Sequence, residues 1–211
     1  MPVFDLTLPL GPATPLYPGD PPFAMEMYRR LARGDTSNNS RLRMGAHNGT
    51  HIDAPAHFVE GGATVDRIPP EALVGPCVLV DVGPADLITR EVLEPLGLAG
   101  EERILLKTKN SAWIARRFEE NFVAFSGDGA RYLAELGPLL VGIDAPSLDP
   151  RGTAGHPAHM AILGSRRIVG AIEWLNAAGV EPGRYELFCG PLRIVGGEAA
   201  PCRVILKSLS E

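Results

Sequence analysis

The sequence has little of what marks several large classes of protein. Its three cysteines are odd in number and lie far apart in 211 residues, which argues against a disulfide framework or a cysteine-based metal site. Each stands among apolar residues, so we expect reduced core thiols in a cytoplasmic protein; they are Cys77, Cys189 and Cys202. No segment reaches the ~20 apolar residues that a membrane-spanning helix needs. Residues 1–20 lack the basic and continuous apolar regions of a signal peptide.

Positive charge is also scarce. The chain has 20 lysines and arginines against 25 aspartates and glutamates, which gives a net charge of −5. No block of like charges offers a tail or a basic patch. Nucleic acids and anionic membranes are bound by basic surfaces, so this balance argues against both as partners.

Turn-forming residues divide the chain into many short segments. The 24 glycines and 20 prolines are spread between apolar runs. We expect a single domain, residues 1–211, with a mixed α/β sheet around which the N-terminal region wraps. The predicted strands are short and rich in Val, Ile and Leu: Cys77–Val82, Arg103–Thr108, Leu139–Ile143, Ile168–Ile172, Tyr185–Phe188, Leu192–Val195 and Arg203–Lys207.

Four segments are predicted to be helical. Thr89 can cap "REVLEPLG", and Ser126 can cap "GDGARYLAELG", which Gly137 ends. Two shorter helices are predicted over "SAWIARRFEE" and over "HPAHMAILG", the second of which ends at Gly164. Strands and helices do not alternate strictly, so the pattern does not require a doubly wound parallel sheet.

Three of the five histidines lie in one stretch, "HNGTHIDAPAH", residues 47–57. Its polar residues are His47, His51, Asp53 and His57, and Pro55 biases the backbone away from a helix. The segment is therefore predicted to be extended or looped, with side chains that converge because the backbone bends. Buried, hydrogen-bonded histidines are one interpretation. The density of imidazole and carboxylate favours a metal site instead, for zinc, manganese or iron.

The remaining histidines, His156 and His159 in "GHPAHMAILG", form a second cluster. Pro157 suits the first turn of a helix, which puts the two histidines at i and i+3 on one face. Spacing alone does not say which of them is a ligand.

Two acids end apolar runs, Glu173 in "IVGAIEWL" and Asp144 in "LLVGID", where an unpaired charge would be costly to bury. Each acid either serves a site or reaches water or a backbone amide. One site built from both histidine clusters is the economical interpretation.

The stretch "HNGTHIDAPAHF" resembles the signature of the cyclase-like metal-dependent hydrolase family, which includes arylformamidases (kynurenine formamidases) and isatin hydrolases. Every fixed position of the pattern His-x-Gly-Thr-His-x-Asp-x-Pro-x-His-Phe is filled. The resemblance extends to "DLTLPLGPATPLYPGDPP", "LLVGIDAPSLDP", "HMAILG" with "IVGAIEWL", and "GRYELFCGPLRIVGGEAAPCRVI". It implies the swivelling β/β/α-like fold of that family.

The resemblance also implies roles for individual residues. It implies two bridged metal ions, zinc with manganese as the alternative, held by His47, His51, Asp53, His159 and Glu173. Asp53 and Glu173 would contact both ions. His57 would be the proton donor and acceptor, and Tyr17 would contact the substrate. His156 would be a neighbour without a role in binding metal, and the protein would be a homodimer or homotetramer.

The function implied is hydrolysis of a small-molecule amide by metal-activated water, with N-formylkynurenine giving kynurenine and formate. Ring opening of a cyclic amide such as isatin, or a related cyclase or lyase reaction, is an alternative. A metal-stabilised binding protein without catalysis is another, although a closed structural site would leave His57 without a purpose. No Gly-x-Ser-x-Gly motif is present, so a serine-hydrolase route is not indicated; Ser126 and Ser147 are better interpreted as a helix cap and a turn residue.

Overall fold

The computed structural model describes residues 1–209. The strands in this range are β1 (Val3–Asp5), β2 (Ala24–Arg29), β3 (Asn39–Arg43), β4 (His51–Asp53), β5 (Val74–Asp81), β6 (Arg103–Lys107), β7 (Leu140–Ile143), β8 (Gly170–Glu173), β9 (Gly183–Pro191) and β10 (Ala199–Ser208). The helices are α1 (Pro70–Leu73), α2 (Arg90–Leu93), α3 (Gly127–Leu136) and α4 (Pro157–Leu163). Short 3₁₀ turns connect several of them. No helix in this range is long and apolar enough to span a membrane.

Eight of the strands form one sheet in the order β1-β10-β4-β8-β7-β6-β5-β9. The sheet closes into a barrel because β10, at 10 residues, pairs with β4 through its first residues and with β9 through the rest. Strands β5 to β8 run parallel to one another, and the other pairs are antiparallel. The predicted mixed α/β sheet is therefore confirmed. Strands β2 and β3 form a separate hairpin.

The parallel strands are buried on both faces, which explains their nearly continuous apolar sequences. Leu105 in β6 points into the barrel, while its neighbours Ile104 and Leu106 pack outside it in the cluster that includes residues of α3 and α4. Gly142 in β7 faces Leu105, and a Cβ added there would lie 2.6 Å from the Leu105 Cδ2 atom. The barrel interior is thus filled by side chains.

Two of the predicted helices form as expected. The Ser126 side chain accepts a hydrogen bond from the Gly129 amide at the start of α3, and Gly137 ends that helix in the left-handed conformation. Helix α4 begins with Pro157 and ends at Gly164. The helix over "REVLEPLG" is shorter than predicted, because α2 stops at Leu93 and a 3₁₀ turn follows.

Two predicted elements are wrong. Residues 111–120, "SAWIARRFEE", form no α-helix; a 3₁₀ turn over Lys109–Ala112 is followed by further turns. The buried carboxylate of Asp144 accepts hydrogen bonds from the Thr108 amide, just before this segment, and from the Ser111 amide at its start, which holds the chain in a turn. Residues 192–195 are not a strand. They follow Pro191 as an exposed loop in which the Val195 side chain is 86% exposed.

Candidate metal centre

Strand pairing brings the acidic and imidazole side chains together. His51 and Asp53 are two residues apart in β4, so their side chains lie on the same face of the sheet. In the register between β4 and β8, His51 lies directly opposite Glu173, and Asp53 lies opposite the small residue Ala171. Cross-strand partners of this kind have neighbouring side chains. Three buried groups from two distant parts of the chain therefore meet at one point.

The distances are those of a compact donor cluster. The His51 Nε2 atom lies 3.3 Å from the Asp53 Oδ1 atom and 3.5 Å from the Glu173 Oε2 atom. His47 reaches in from the loop before β4 and places its Nδ1 atom 3.0 Å from Asp53 Oδ1. His159 projects from α4 and places its Nε2 atom 3.3 Å from Glu173 Oε1 and 3.9 Å from Asp53 Oδ2.

Three of these histidines have an acceptor on the ring nitrogen that faces away from the cluster. His159 Nδ1 lies 2.6 Å from an Asp149 carboxylate oxygen, which also accepts from the His159 amide. His51 Nδ1 lies 2.9 Å from the Gly49 carbonyl oxygen, and His47 Nε2 lies 3.4 Å from a Glu198 oxygen. Such contacts fix the tautomer and ring orientation of a metal-binding histidine. The inward nitrogens of all three rings thus point toward the central carboxylates, where they can bind a metal.

His57 differs from the other three. It lies in a 3₁₀ turn, Pro55–His57, after β4, and its Nε2 atom is 4.0 Å from Asp53 Oδ2. Its ring packs against the His47 ring, with centroids 4.3 Å apart, and among residues 1–209 its side chain has no hydrogen-bond partner. Burial lowers the pKa of His57, despite the opposing effect of Asp53. A neutral imidazole without a fixed partner can accept and release a proton.

The two central carboxylates are held as anions. Burial alone would raise the pKa of Asp53, but His51 and His47 outweigh it and hold that pKa well below its usual range. Burial and Asp53 would likewise raise the pKa of Glu173, but His159 and His51 lower it. Against the effect of burial, Asp53 and Glu173 raise the pKa of His51 to about 10. The hydrogen bond to Asp149, together with Glu173 and Asp53, raises the pKa of His159 to about 10. Each group therefore depends on its neighbours to remain charged.

The donor set fits a metal. Both Asp53 carboxylate oxygens are buried, and neither accepts a hydrogen bond within the described part of the chain. A buried carboxylate without such partners is costly unless a cation compensates it. Imidazole nitrogens with carboxylate oxygens are the ligands that zinc and manganese accept. Two combinations of these donors, each with atoms within 4.8 Å of one another, are His51 with Asp53 and Glu173, and His47 with Asp53 and His57.

A cavity of about 190 Å³ opens onto the cluster. Tyr17 lies in its wall, where its ring packs edge-on against Phe118 with centroids 5.4 Å apart. Trp174, the residue after β8, also lines the cavity and has a positive φ of 57°, which is unusual for a residue with a side chain. The complete lining is Tyr17, Asp20, His47, His51, His57, Phe58, Pro146, Ser147, His156, His159, Glu173 and Trp174.

All seven residues singled out from the sequence lie at this site. His156 lines the cavity as well, but it is exposed, and His159 is the one of the two that contacts Glu173 and Asp53. Sequence reasoning missed Asp149 and Glu198, which orient His159 and His47, and it missed Trp174. It left Asp144 open, and the structure puts that carboxylate against backbone amides and the Ser111 hydroxyl, outside the cavity lining. No local signal identifies Asp149, because it lies well before Pro157 in the sequence and His156 occupies the N-cap position of α4.

Comparisons with known proteins agree with this geometry. Residues 4–150 match the protein family described as "Putative cyclase". The chain is 37% identical over 209 residues to a kynurenine formamidase of Salinibacter ruber (strain DSM 13855 / M31), covering 98% of each.

Two solved structures have the same fold. One, described as a potential metal-dependent hydrolase with cyclase activity, superposes with a TM-score of 0.85 at 39% identity, covering 97% of this chain and 96% of that one. Isatin hydrolase A from Ralstonia solanacearum superposes with a TM-score of 0.80 at 26% identity, covering 97% and 91%. The family and the swivelling fold predicted from the sequence are confirmed: the chain belongs to the cyclase family.

Proposed function

We propose that this protein is a metal-dependent hydrolase that converts N-formylkynurenine to kynurenine and formate. The observation that carries the proposal is the pair of buried Asp53 oxygens, which accept no hydrogen bond within residues 1–209 and are surrounded by histidines that line a cavity. Hydrolysis of an amide bond by a metal-dependent enzyme is the class that the formamidase and metal-dependent hydrolase relatives support. Among amide substrates, the Tyr17 ring in the cavity wall and the formamidase relative favour an aryl formamide.

We assign metal binding to the five donors that converge on Asp53: His47, His51, Asp53, His159 and Glu173. These residues would hold two zinc ions, with manganese as the alternative; each carboxylate has two oxygens, which lie near different histidines. When bound here, such ions polarise a carbonyl oxygen and lower the pKa of a water molecule. Glu173 would be kept in place by the Leu148 amide, which donates to its Oε1 atom at 2.7 Å.

His57 would move the proton. Its lowered pKa keeps the ring neutral near pH 7, so it can accept a proton from the attacking water. As the C–O bond forms and the C–N bond breaks, the same ring returns that proton to the leaving nitrogen. The absence of a fixed hydrogen-bond partner among residues 1–209 supports this role, because both transfers require the ring to exchange its proton.

Tyr17 would bind the aryl ring. Its ring lines the cavity, and Phe118 packs against it edge-on, so the face it offers is fixed. Stacking of an aromatic pair contributes about 0.5–1.5 kcal/mol beyond burial of area. Binding energy from this remote ring can orient the formyl carbon for attack.

A second candidate is ring opening of a cyclic amide such as isatin. The fold shared with isatin hydrolase A supports it, because the same metal site can attack a carbonyl within a ring. A metal-stabilised binding protein is a further alternative of another class. The open cavity beside His57 favours an enzyme over this reading.

A hydrolysis assay decides among these functions. Zinc- and manganese-loaded protein would be given N-formylkynurenine, formanilide, formamide and isatin in parallel. We expect the aryl formamides to be cleaved far faster than formamide, and Tyr17→Ala to reduce activity on aryl substrates while the protein stays folded. Equal rates on aryl and alkyl formamides would remove the aryl assignment. A preference for isatin would favour the second candidate, and turnover of none would favour the binding protein.

We further propose that residues 1–211 act as one cyclase-like domain in a cytoplasmic homodimer or homotetramer. All three cysteines are buried with free thiols, which suits a reducing compartment. The exposed β2–β3 hairpin supports assembly with further copies of the chain.

A further inference from the structure

One tight turn presents two different groups to the cavity. Tyr17, Pro18, Gly19 and Asp20 form a turn closed by a hydrogen bond from the Asp20 amide to the Tyr17 carbonyl oxygen, at 3.1 Å. Pro18 fixes the first central position, and Gly19 has a φ of 107°, which a residue with a side chain rarely adopts. The side chains of Tyr17 and Asp20, at the two ends of this turn, both line the cavity. Their separation is therefore set by the backbone.

The carboxylate of Asp20 has no partner within the described range. No lysine, arginine or histidine lies within 4.0 Å of it, and no hydrogen bond to its side chain occurs in residues 1–209. Many other acids of this chain are paired, as Asp5 is with Arg203 and Asp149 with His159. Asp20 is half-buried at the cavity wall, so a group of a ligand in the cavity can reach its carboxylate.

The basic side chains in the cavity wall are histidines. The lining, drawn from the described residues, includes neither lysine nor arginine, and its acids are Asp20 and Glu173. Glu173 is engaged with His51, His159 and the Leu148 amide, whereas Asp20 is not. Asp20 thus offers a negative charge to a ligand at a fixed distance from the aromatic ring of Tyr17.

We propose that Asp20 selects substrates that carry an ammonium group on the chain attached to the aryl ring. This inference rests on the proposed function and adds to it the residue that recognises the α-amino group of the substrate. The aryl ring lies against Tyr17 while the ammonium group donates to the Asp20 carboxylate. A hydrogen bond between charged groups in a half-buried wall typically changes affinity by roughly 10–100-fold. Asp20 is therefore a specificity-determining residue that contacts the substrate away from the reacting atoms.

The test compares two substrates that differ only in that group. N-formylkynurenine carries the ammonium group, and 4-(2-formamidophenyl)-4-oxobutanoate has the same ring, formamide and carboxylate without it. We expect zinc-loaded wild-type protein to prefer the first, and Asp20→Asn to lower the ratio of the two kcat/KM values at least about tenfold, mainly through KM. Asp86→Asn, which removes an exposed carboxylate outside the cavity lining, is the matched control and should keep the wild-type ratio.

Calorimetry supplies a readout that does not require turnover. Kynurenine and its analogue without the amino group would be titrated into wild type and Asp20→Asn, with zinc content and thermal melting measured for both proteins. We expect the variant to lose affinity for kynurenine and to retain it for the analogue. An equal loss of kcat on both substrates would overturn the proposal, because Asp20 would then act on the reacting atoms. An unchanged ratio in the assay with unchanged kynurenine affinity would overturn it as well. Failure of the proposed function itself would be seen as no turnover of either formamide by wild type, and the calorimetry would still decide the role of Asp20.

Discussion

At the scale of single residues, the surroundings of each histidine distinguish its role. His47, His51 and His159 each have an oxygen acceptor on the outward ring nitrogen, whereas His57 has none within residues 1–209. A fixed ring suits a metal ligand, and a free one suits proton transfer. The four histidines thus differ in their hydrogen-bond partners, which only the folded chain provides, and this difference distinguishes the roles proposed for them.

Replacing Asp53 should have the largest effect on metal binding. His47→Ala and His51→Ala each remove one proposed ligand, while Asp53→Ala removes the group that would contact both ions. We expect all three variants to lose activity and bound metal, with Asp53→Ala losing the most. Elemental analysis of the purified proteins measures this, with Asp86→Asn as a control of equal charge change. Full metal occupancy in Asp53→Ala would contradict the bridging assignment.

His57→Ala should separate catalysis from metal binding. We expect it to keep most of its metal while kcat falls roughly 10²–10⁴-fold, the usual contribution of a positioned general acid or base. His159→Ala should instead lose metal, and His156→Ala should change little, because His156 is an exposed residue beside the site. Metal analysis and single-substrate kinetics on the three variants check this. Wholesale metal loss in His57→Ala would make it a ligand.

At the scale of elements, the carboxyl ends of adjacent strands organise the loops around the site. Asp144 follows β7, and its Oδ2 atom accepts hydrogen bonds from the Thr108 and Ser111 amides after β6 and from the Ser111 hydroxyl. The segment that begins there places Ile114 against Trp174 in the wall of the cavity. Asp144 thus connects the ends of β6 and β7, and it holds in place the segment that packs against the cavity wall.

Asp144 should make stability depend on pH. Burial raises its pKa to about 6, from an ordinary 3.8, although hydrogen bonds from Ser111 and Thr108 oppose the rise. The folded protein therefore binds this proton more tightly than the unfolded chain does. The resulting stabilisation is complete below pH 3.8 and is lost as the pH rises through 6.

Asp144→Asn cannot titrate, so it should lack this dependence. We expect the free energy of unfolding of the variant to improve relative to wild type between pH 4 and pH 7. Urea denaturation at several pH values measures the difference. A constant difference across that range would show that the Asp144 proton is not linked to folding.

At the scale of the whole molecule, the β2–β3 hairpin stands apart from the barrel. Residues 24–43 contain five arginines and two acidic residues, a net charge of +3, so the rest of the chain carries −8. Met25 and Leu42 are cross-strand partners in the hairpin, and both are more than half exposed. A two-stranded hairpin is only marginally stable alone, and its charge complements the remainder of a second copy. These features favour the hairpin as a contact between copies.

A charge placed on the apolar face of the hairpin should weaken the proposed assembly. We expect Leu42→Glu to shift the protein toward monomer, since it buries a charge in the contact and reduces the positive charge of the hairpin. Sedimentation velocity over a range of concentrations measures the mass. Val195→Glu alters another exposed apolar residue and should leave the mass unchanged. Equal masses for wild type and Leu42→Glu would place the contact elsewhere.

The sequence by itself determined the family and the mixed α/β class, and it singled out residues that the structure brings together at the candidate metal centre. It could do so because the motif at residues 47–57 concentrates groups of one chemistry, and because buried parallel strands and capped helices have local signatures. The same local reasoning failed for residues 111–120 and 192–195. Residues 111–120 form turns because the buried Asp144, which follows β7, accepts a hydrogen bond at their start. Residues 192–195 are a loop because β9 ends at Pro191.

Only the tertiary structure decided how those groups meet. The β4–β8 register sets His51 opposite Glu173, and the turn before α4 brings Asp149 to His159. Asp20 and Glu198 look like ordinary surface acids in the sequence, yet one lines the cavity and the other lies beside His47. Pairings between distant segments depend on the closure of the barrel. Local propensity does not predict that closure, because it depends on side chains from all of the strands packing together in the barrel.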